Sequence, residues 1–153
     1  MTESNARRDE LIGVAWKPWR LFGEGKIDEG LNLLSDDGTF WEVSSRESRP
    51  MPEMKTFIAQ LLSIVPIRFT LIDAIVEGNR AVLLAESEGH IDANEYYRNA
   101  YSFVVRVDPA SGQVVSVREY SDTLHGFKVL VPVLRRASIA RNETSASAEV
   151  IES

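Results

Sequence analysis

The stretch "EYYRNAYSFVVRVDPASGQVVSVREYSDT", residues 95–123, decides the fold because it predicts two long strands joined by a turn. Apolar side chains alternate with other side chains along both segments, which is the period of a strand. The segment "DPASG" between them is rich in turn residues. One face nevertheless carries polar groups, at Tyr97, Asn99, Tyr101 and Glu119. We expect this face to line a cavity, because a solid core disfavours polar groups that lack partners.

The period of the apolar pattern changes at Pro66. Before it, helices are predicted over about residues 9–22, 27–34 and 54–65, where apolar residues recur at helical spacing. Pro18 is expected to kink or divide the first helix. After Pro66, residues 67–78 and 80–90 alternate as strands.

The links between the helices contain one more strand. The segment "SDDG", residues 35–38, predicts a turn, and "TFWEVSS", residues 39–45, predicts a short strand. A loop is expected from there to the third helix. Helices followed by antiparallel strands predict an α+β fold, in which three N-terminal helices cover a curved antiparallel sheet. Together they are expected to enclose a cone-shaped pocket, suited to a small molecule.

The chain of 153 residues is 44% hydrophobic, which fits one domain with a real core. We expect a flexible N-terminus over residues 1–8, a single domain over 9–134, and a polar, mobile tail over 135–153. The segment "GFKVLVPVL", residues 126–134, is an apolar extension to which the pattern assigns no definite form.

The net charge of −6 argues against a nucleic-acid partner, and no apolar run is long enough for a membrane partner. The absence of cysteine excludes disulfides and thiolate chemistry. No apolar signal-peptide core follows the basic N-terminal residues, so we expect a cytoplasmic protein. His90 and His125 are too few for a zinc site, and no phosphate-binding glycine loop occurs, so we expect neither metal nor cofactor.

The order of elements resembles the nuclear transport factor 2-like superfamily, and in particular its SnoaL-like, ketosteroid isomerase-like branch. The segments that carry the resemblance are "LSDDGTFWE" (34–42), "ESEG" (86–89), "YYRNAYSFVVRV" (96–107) and "GQVVSVREYSDT" (112–123). The resemblance covers about residues 9–125, the great majority of the chain. The resemblance implies the fold closely and the function loosely, since the branch includes isomerases, epoxide hydrolases, cyclases, phenazine-biosynthesis proteins and non-catalytic binders.

The resemblance also implies site residues. Glu42 falls at the position of the isomerases' catalytic Asp, and Glu119 matches an inward carboxylate of the epoxide hydrolases. Spacing back from Phe103 puts Glu86, Glu88 and His90 on the pocket side. Two isomerase oxyanion donors have no counterpart here, and the hydrolases' Arg and Asp are not matched, so neither mechanism is expected unchanged.

We therefore predict cofactor-independent acid–base chemistry, such as isomerisation, cyclisation or hydration, on a small, apolar or polycyclic molecule. The predicted catalytic residues are Glu42, Glu119 and His90. The predicted ligand-binding residues are Glu88, Tyr97, Asn99, Tyr101, Phe103, Trp16 and Trp41. Each also has a purely structural interpretation, which keeps a non-catalytic ligand-binding or dimeric accessory protein open as the alternative. A homodimer is expected through an apolar outer sheet face at Ala81, Leu83, Ala85 and Val104.

Overall fold

A computed structural model describes residues 2–152, with side chains described for residues 2–145. Its elements follow in the order α1 (Glu3–Gly23), α2 (Ile27–Leu31), β1 (Leu34–Glu42), β2 (Glu47–Pro50), α3 (Met51–Ile64), β3 (Arg68–Glu77), β4 (Arg80–His90), β5 (Tyr96–Asp108), β6 (Gln113–Ser121) and α4 (Thr123–Glu152). Residues 1 and 153 of the predicted termini lie outside this description. The predicted α+β class is confirmed.

The six strands form one curved sheet in the order β2-β1-β6-β5-β4-β3. The sheet is mixed, because β1 runs parallel to β6 while the other pairs are antiparallel. The meander of β3 to β6 fits the predicted antiparallel strands. The parallel pair arises because β1 enters the sheet from between two helices rather than from a hairpin with its neighbour.

The first helix continues through Pro18, so the predicted division at that residue is wrong. Pro18 is buried beside Trp19, whose ring lies 4.6 Å from that of Phe103 in the sheet. Packing of this turn against the core therefore offsets the hydrogen bond that proline removes. The helix also includes residues 3–8, the predicted flexible N-terminus.

Two local features of β1 differ from the prediction. The segment 35–38 lies inside the strand, where a bulge between Leu34 and Thr39 shifts the register with β6. Gly38 is required there, because a Cβ atom would lie 2.6 Å from the carbonyl oxygen of Val115. The predicted loop after β1 contains the short strand β2, which pairs with β1 as a hairpin. Arg46, in the turn of that hairpin, has a φ of 58°.

The facing of β4 is opposite to the prediction. Ala81, Leu83 and Ala85 are buried in the core rather than on the outer face. Close packing explains the glycine at the end of this face, since a Cβ at Gly89 would lie 2.8 Å from the carbonyl oxygen of Pro66. The charged alternative positions of β4 consequently point to water on the outer face.

The apolar segment that follows β6 belongs to α4, which continues through the predicted tail. Phe127, Leu130, Val131 and Leu134 recur at i, i+3, i+4 and i+7, which places them on one side of the helix. Pro132 interrupts this pattern in the sequence without ending the helix. Within residues 2–152, no helix has both the length and the hydrophobicity to cross a membrane.

Candidate active site

A cavity of about 210 Å³ lies between the inner face of the sheet and helices α3 and α4. Its lining is mostly apolar and includes Phe22, Phe40, Met54, Ile58, Leu61, Phe103, Leu130 and Leu134. The sheet supplies most of its polar side chains, which are Glu42, Tyr97, Asn99, Tyr101, Glu119 and Ser121, and the segments that follow strands add Ser44, Asp122 and Thr123. A cavity that is apolar over most of its surface with a few convergent polar groups is typical of a small-molecule site.

Two carboxylates lie side by side in this cavity. Glu42 of β1 is directly opposite Glu119 of β6 in the parallel register, and both are half-buried. Neighbouring strands are only about 4.8 Å apart, so the two side chains share one patch of the inner face. The parallel pairing of β1 with β6 is thus what brings together two acids that are far apart in the sequence.

Burial raises the pKa of both carboxyl groups. For Glu119, burial is the largest cause, the charge of Glu42 adds to it, a hydrogen bond with Ser121 opposes it, and the pKa reaches about 7. For Glu42, the nearby charge of Arg49 opposes the effect of burial. The pair can therefore hold and release a proton near neutral pH, as an acid–base group requires.

A chain of hydroxyl groups lies on the neighbouring strands. The hydroxyl of Tyr101 is 3.0 Å from that of Tyr97 and 2.9 Å from that of Ser87. Burial raises the pKa of both phenols above the ordinary value, so they stay neutral and can donate. The ring of Tyr101 stacks on Phe103 at 4.9 Å and fixes the position of the chain.

Asn99 anchors this chain and has no bonding capacity left for a ligand. Its Nδ2 donates to the hydroxyl of Tyr97 at 2.8 Å and to the carbonyl of Asp122 at 3.2 Å. Its Oδ1 accepts from the backbone N–H groups of Ala100 and Asp122. An amide offers two donor and two acceptor positions, and all are in use. Asn99 therefore positions Tyr97 and the start of α4, rather than binding a ligand as predicted.

The hydroxyl chain has one hydrogen more than its internal contacts need. Tyr97, Tyr101 and Ser87 carry one O–H each, but only two contacts join them. One O–H is left to donate elsewhere. Tyr97 and Ser87 are buried whereas Tyr101 is half-exposed to the cavity, so Tyr101 is the best placed to direct a donor at a ligand.

Most of the predicted site residues lie together. The cavity lining includes Glu42, Glu119, Tyr97, Asn99, Tyr101 and Phe103. Their roles in chemistry stay predictions, except that the saturation of Asn99 changes its assignment. The register explains the arrangement, because Phe103 is opposite Glu119 and Tyr101 is opposite Ser121 on the inner face.

His90 and Glu88 do not line this cavity, so their predicted placement is wrong. Both lie on the outer face of β4 and are exposed. There, Glu88 accepts a hydrogen bond of 2.7 Å from the hydroxyl of Tyr96, and the His90 ring packs 4.7 Å from the same tyrosine. The reversed facing of β4 described above is the physical reason. Glu86 is exposed on that face too.

The two predicted tryptophans also lie outside the cavity lining. Trp16 stacks on Trp19 of the same helix, with ring centroids 6.1 Å apart. Trp41 lies on the outer sheet face, where the guanidinium of Arg118 is 4.0 Å from its ring. Strand alternation already predicts the outward facing of Trp41 if Glu42 faces the cavity, because consecutive residues of a strand cannot both face inward.

The sequence interpretation missed the contribution of α4, which supplies Phe127, Leu130, Val131 and Leu134 to the lining. It also missed Ser87, because the wrong face of β4 had been assigned to the pocket. Among the side chains that the structure describes, residues 2–145, no cluster of three or more His, Asp or Glu could hold a metal ion.

No protein-family model matches the chain, and no curated protein matches it in sequence. Solved structures do. PrhC from Penicillium brasilianum superposes with a TM-score of 0.73 at 16% identity, over 86% of this chain and 91% of that one. A putative SnoaL-like polyketide cyclase from Jannaschia Sp. gives a TM-score of 0.65 at 15% identity, over 80% and 92%.

An epoxide hydrolase from M. tuberculosis, described as LEH-like, gives a TM-score of 0.64 at 18% identity. It aligns with 86% of this chain and 97% of its own. Another similar structure, from Catenulispora acidiphila, is described as having a ketosteroid isomerase-like fold and has a TM-score of 0.58. At these identities the similarity establishes architecture. The chain therefore has the nuclear transport factor 2-like fold, in the form shared by SnoaL-like and ketosteroid isomerase-like proteins.

Proposed function

We propose that this protein binds a small, mostly apolar molecule in the cavity and catalyses a proton transfer on it without a cofactor. The observation that carries the proposal is the juxtaposition of Glu42 and Glu119 inside an apolar cavity. Two buried acids whose pKa values are raised together have one member protonated and one ionised near neutral pH. Such a pair can accept a proton at one carbon atom and return it at another.

The most economical reaction is the isomerisation of a double bond or ring next to a carbonyl group. Near its pKa of about 7, Glu119 is ionised in part of the molecules, and its carboxylate then removes a proton from the carbon beside the carbonyl while the C–H electron pair moves toward the carbonyl oxygen. Tyr101 donates its spare O–H to that oxygen and stabilises the developing charge. The carboxyl group then returns the proton at a second carbon, and the enolate electrons form the new C–H bond.

The positions of the two groups suit this step. Tyr101 and Glu119 are diagonal neighbours across β5 and β6, since each is opposite the residue two positions from the other. Diagonal neighbours on one face have Cα atoms about 7–8 Å apart. A carbonyl oxygen and the hydrogen on the adjacent carbon fit between two side chains that converge from that separation.

A non-catalytic binder is the second candidate, and the hydroxyl chain favours it. Hydrogen bonds join Asn99, Tyr97, Tyr101 and Ser87 mainly to one another, which is what a rigid wall of a binding pocket needs.

The similar structures include proteins named as cyclases and as an epoxide hydrolase, which supports chemistry in cavities of this fold. The carboxylate pair is the feature that a passive pocket does not require.

Deuterium exchange separates the two candidates without knowledge of the natural substrate. A small bicyclic ketone, 2-decalone, is incubated with the protein in D₂O, and exchange of the hydrogens beside its carbonyl is followed by NMR. We expect the wild type to accelerate exchange, Glu119→Gln to abolish the acceleration, and the matched control Glu86→Gln to retain it. If the ketone binds but its hydrogens exchange no faster than in buffer, the result would favour the non-catalytic candidate and contradict the proposed proton transfer.

We also propose a homodimer formed through the outer sheet face. The predicted residues Ala81, Leu83 and Ala85 face inward, but Ile75 and Leu84 are 61% and 38% exposed on that face. Val82 and Val104 connect them in the register of the sheet. Light scattering of the wild type and of Leu84→Glu tests this proposal, which requires a dimer that the variant loses.

A further inference from the structure

A second hollow of about 260 Å³ adjoins the cavity at Glu42. We call it the vestibule, and its lining residues are Glu42, Ser44, Ser45, Arg49, Met54, Phe57 and Phe127. All of these except Ser45 and Arg49 also line the cavity. The two spaces therefore share walls, and the exposed rings of Phe57 and Phe127 form the vestibule's rim toward solvent.

Arg49 faces the interior side of the sheet. It is opposite Phe40 in the register of β1 and β2, and paired residues on antiparallel strands point to the same face. Phe40 is buried and lines the cavity. Arg49 is also half-buried, whereas the other residues of β2 are exposed. The edge strand thus holds one guanidinium at the side of the vestibule.

The guanidinium of Arg49 makes one long hydrogen bond within the part of the protein that the structure describes, and its charge also acts on Glu42. The hydrogen bond is 3.4 Å long, from Nη1 to the carboxylate of Glu53, which is itself 59% exposed. Charge-assisted pairs of good geometry are about 2.7–2.9 Å long, and exposed pairs contribute little. A guanidinium has five N–H donors in a planar fork that matches a carboxylate. Most of this fork faces the vestibule or solvent.

The two spaces differ in their charges. Glu119 and Asp122 line the cavity alone, Glu42 lines both spaces, and Arg49, which lines the vestibule alone, is the one cation among the lining residues that the structure describes. An anionic group on a ligand is repelled by the carboxylate pair inside the cavity. It is attracted to the vestibule, where Arg49 lies at the opposite end from the hydroxyl chain.

We propose that the vestibule binds a carboxylate group of the substrate on Arg49, while the apolar body of the same molecule occupies the cavity. This assignment rests on the proposed function, because it names the substrate class of that site as apolar carboxylic acids. It also gives the orientation, since the acid end is held at the mouth and the reacting carbons lie beside Glu119. The rim phenylalanines would cover the first carbons of the chain.

Binding of two matched probes tests the assignment. Decanoate and 1-decanol have the same carbon chain and differ in the charged end. Their dissociation constants are measured by isothermal titration calorimetry at neutral pH with the wild type, Arg49→Gln and the control Arg46→Gln. Arg46 lies in the turn just before β2, is exposed, and does not line the vestibule, so its substitution removes the same charge from a neighbouring position.

We expect the wild type to bind decanoate about 10-fold more tightly than decanol, because a charge-assisted hydrogen bond typically contributes a free energy that corresponds to a factor of about that size. Arg49→Gln removes the preference and leaves decanol binding unchanged, while Arg46→Gln keeps it. Equal affinities in the wild type, or a preference that survives Arg49→Gln, would overturn the assignment without touching acid–base chemistry, which the 2-decalone exchange reports separately. Failure of both probes to bind the wild type would refute the apolar cavity site as well.

Discussion

Replacing Glu119 by Gln is expected to raise the free energy of unfolding above that of the wild type at alkaline pH. At acid pH, where the carboxyl group is protonated, no such gain is expected. The pKa of Glu119 in the folded protein is about 7, above its ordinary value of 4.5. Folding therefore strengthens proton binding at this site. Below about pH 4.5 both states are protonated and nothing is lost. Between about pH 4.5 and 7 the carboxyl is ionised in the unfolded chain but protonated in the folded protein, so stability falls, and the fall ends once the native carboxyl ionises as well.

The difference between 4.5 and about 7, at about 1.4 kcal/mol for each pH unit, gives a loss of about 3 kcal/mol above pH 7. This is an upper value, because water that enters the cavity would solvate the ionised form. The amide of Glu119→Gln stays neutral at every pH. The free energy of unfolding of the variant minus that of the wild type should therefore be up to about 3 kcal/mol larger at about pH 9 than at about pH 4.

Urea unfolding of both proteins at the two pH values measures this quantity. Any constant effect of replacing a carboxyl by an amide cancels in the comparison between pH values. Glu86→Gln is the matched control, since Glu86 is exposed on the outer face. A Glu119→Gln variant whose stability differs from the wild type by the same amount at both pH values would refute the reasoning about burial of this carboxyl.

Four further substitutions test other parts of the account. Tyr101→Phe should cost about 1–3 kcal/mol in urea unfolding, because the two buried hydroxyls that contact it lose a partner, and should weaken 2-decalone binding measured by calorimetry. Unchanged affinity would remove Tyr101 from the ligand site. Gly38→Ala should lower stability by about 1–3 kcal/mol through its clash with a strand carbonyl, whereas Gly13→Ala, which meets nothing within 4 Å, should raise it by about 0.5–1 kcal/mol. Equal effects of the two alanines would contradict the tight bulge in β1. Leu130→Ala should enlarge the cavity, so that in thermal-shift measurements ketones larger than 2-decalone stabilise the variant more than 2-decalone does. If the variant ranks the ketones in the same order as the wild type, α4 does not contact the ligand.

The class of the fold was predictable because the apolar period changes once, at Pro66, from helical to alternating. The inner face of β5 was equally predictable, since Arg98 and Arg106 occupy the positions that face outward. The cavity positions of Tyr97, Tyr101 and Phe103 followed from that alternation. Glu42 and Glu119 came from the resemblance. Their pairing depends on the parallel register of β1 and β6, which no local pattern encodes.

The errors have local physical causes. Both faces of β4 carry apolar and polar residues, so alternation could not choose between Ala85 and Glu86 as the inner position. At Gly89 the segment before β3 approaches so closely that no Cβ atom fits, a long-range contact that the local pattern does not show. The apolar stripe of α4 was not predicted as a helix because Pro132 interrupts it in the sequence. A helix that packs by one face tolerates a proline on its exposed side, where Pro132 lies.

The central claim is that two glutamates share a proton inside an apolar cavity. Carbon-13 NMR of protein labelled at the glutamate carboxyl carbons follows each titration directly. We expect one carboxyl resonance to titrate at about pH 7 in the wild type, to be absent from Glu119→Gln, and to move to lower pH in Glu42→Gln, where the neighbouring charge is gone. Titration of every glutamate near pH 4.5 in the wild type would contradict the claim.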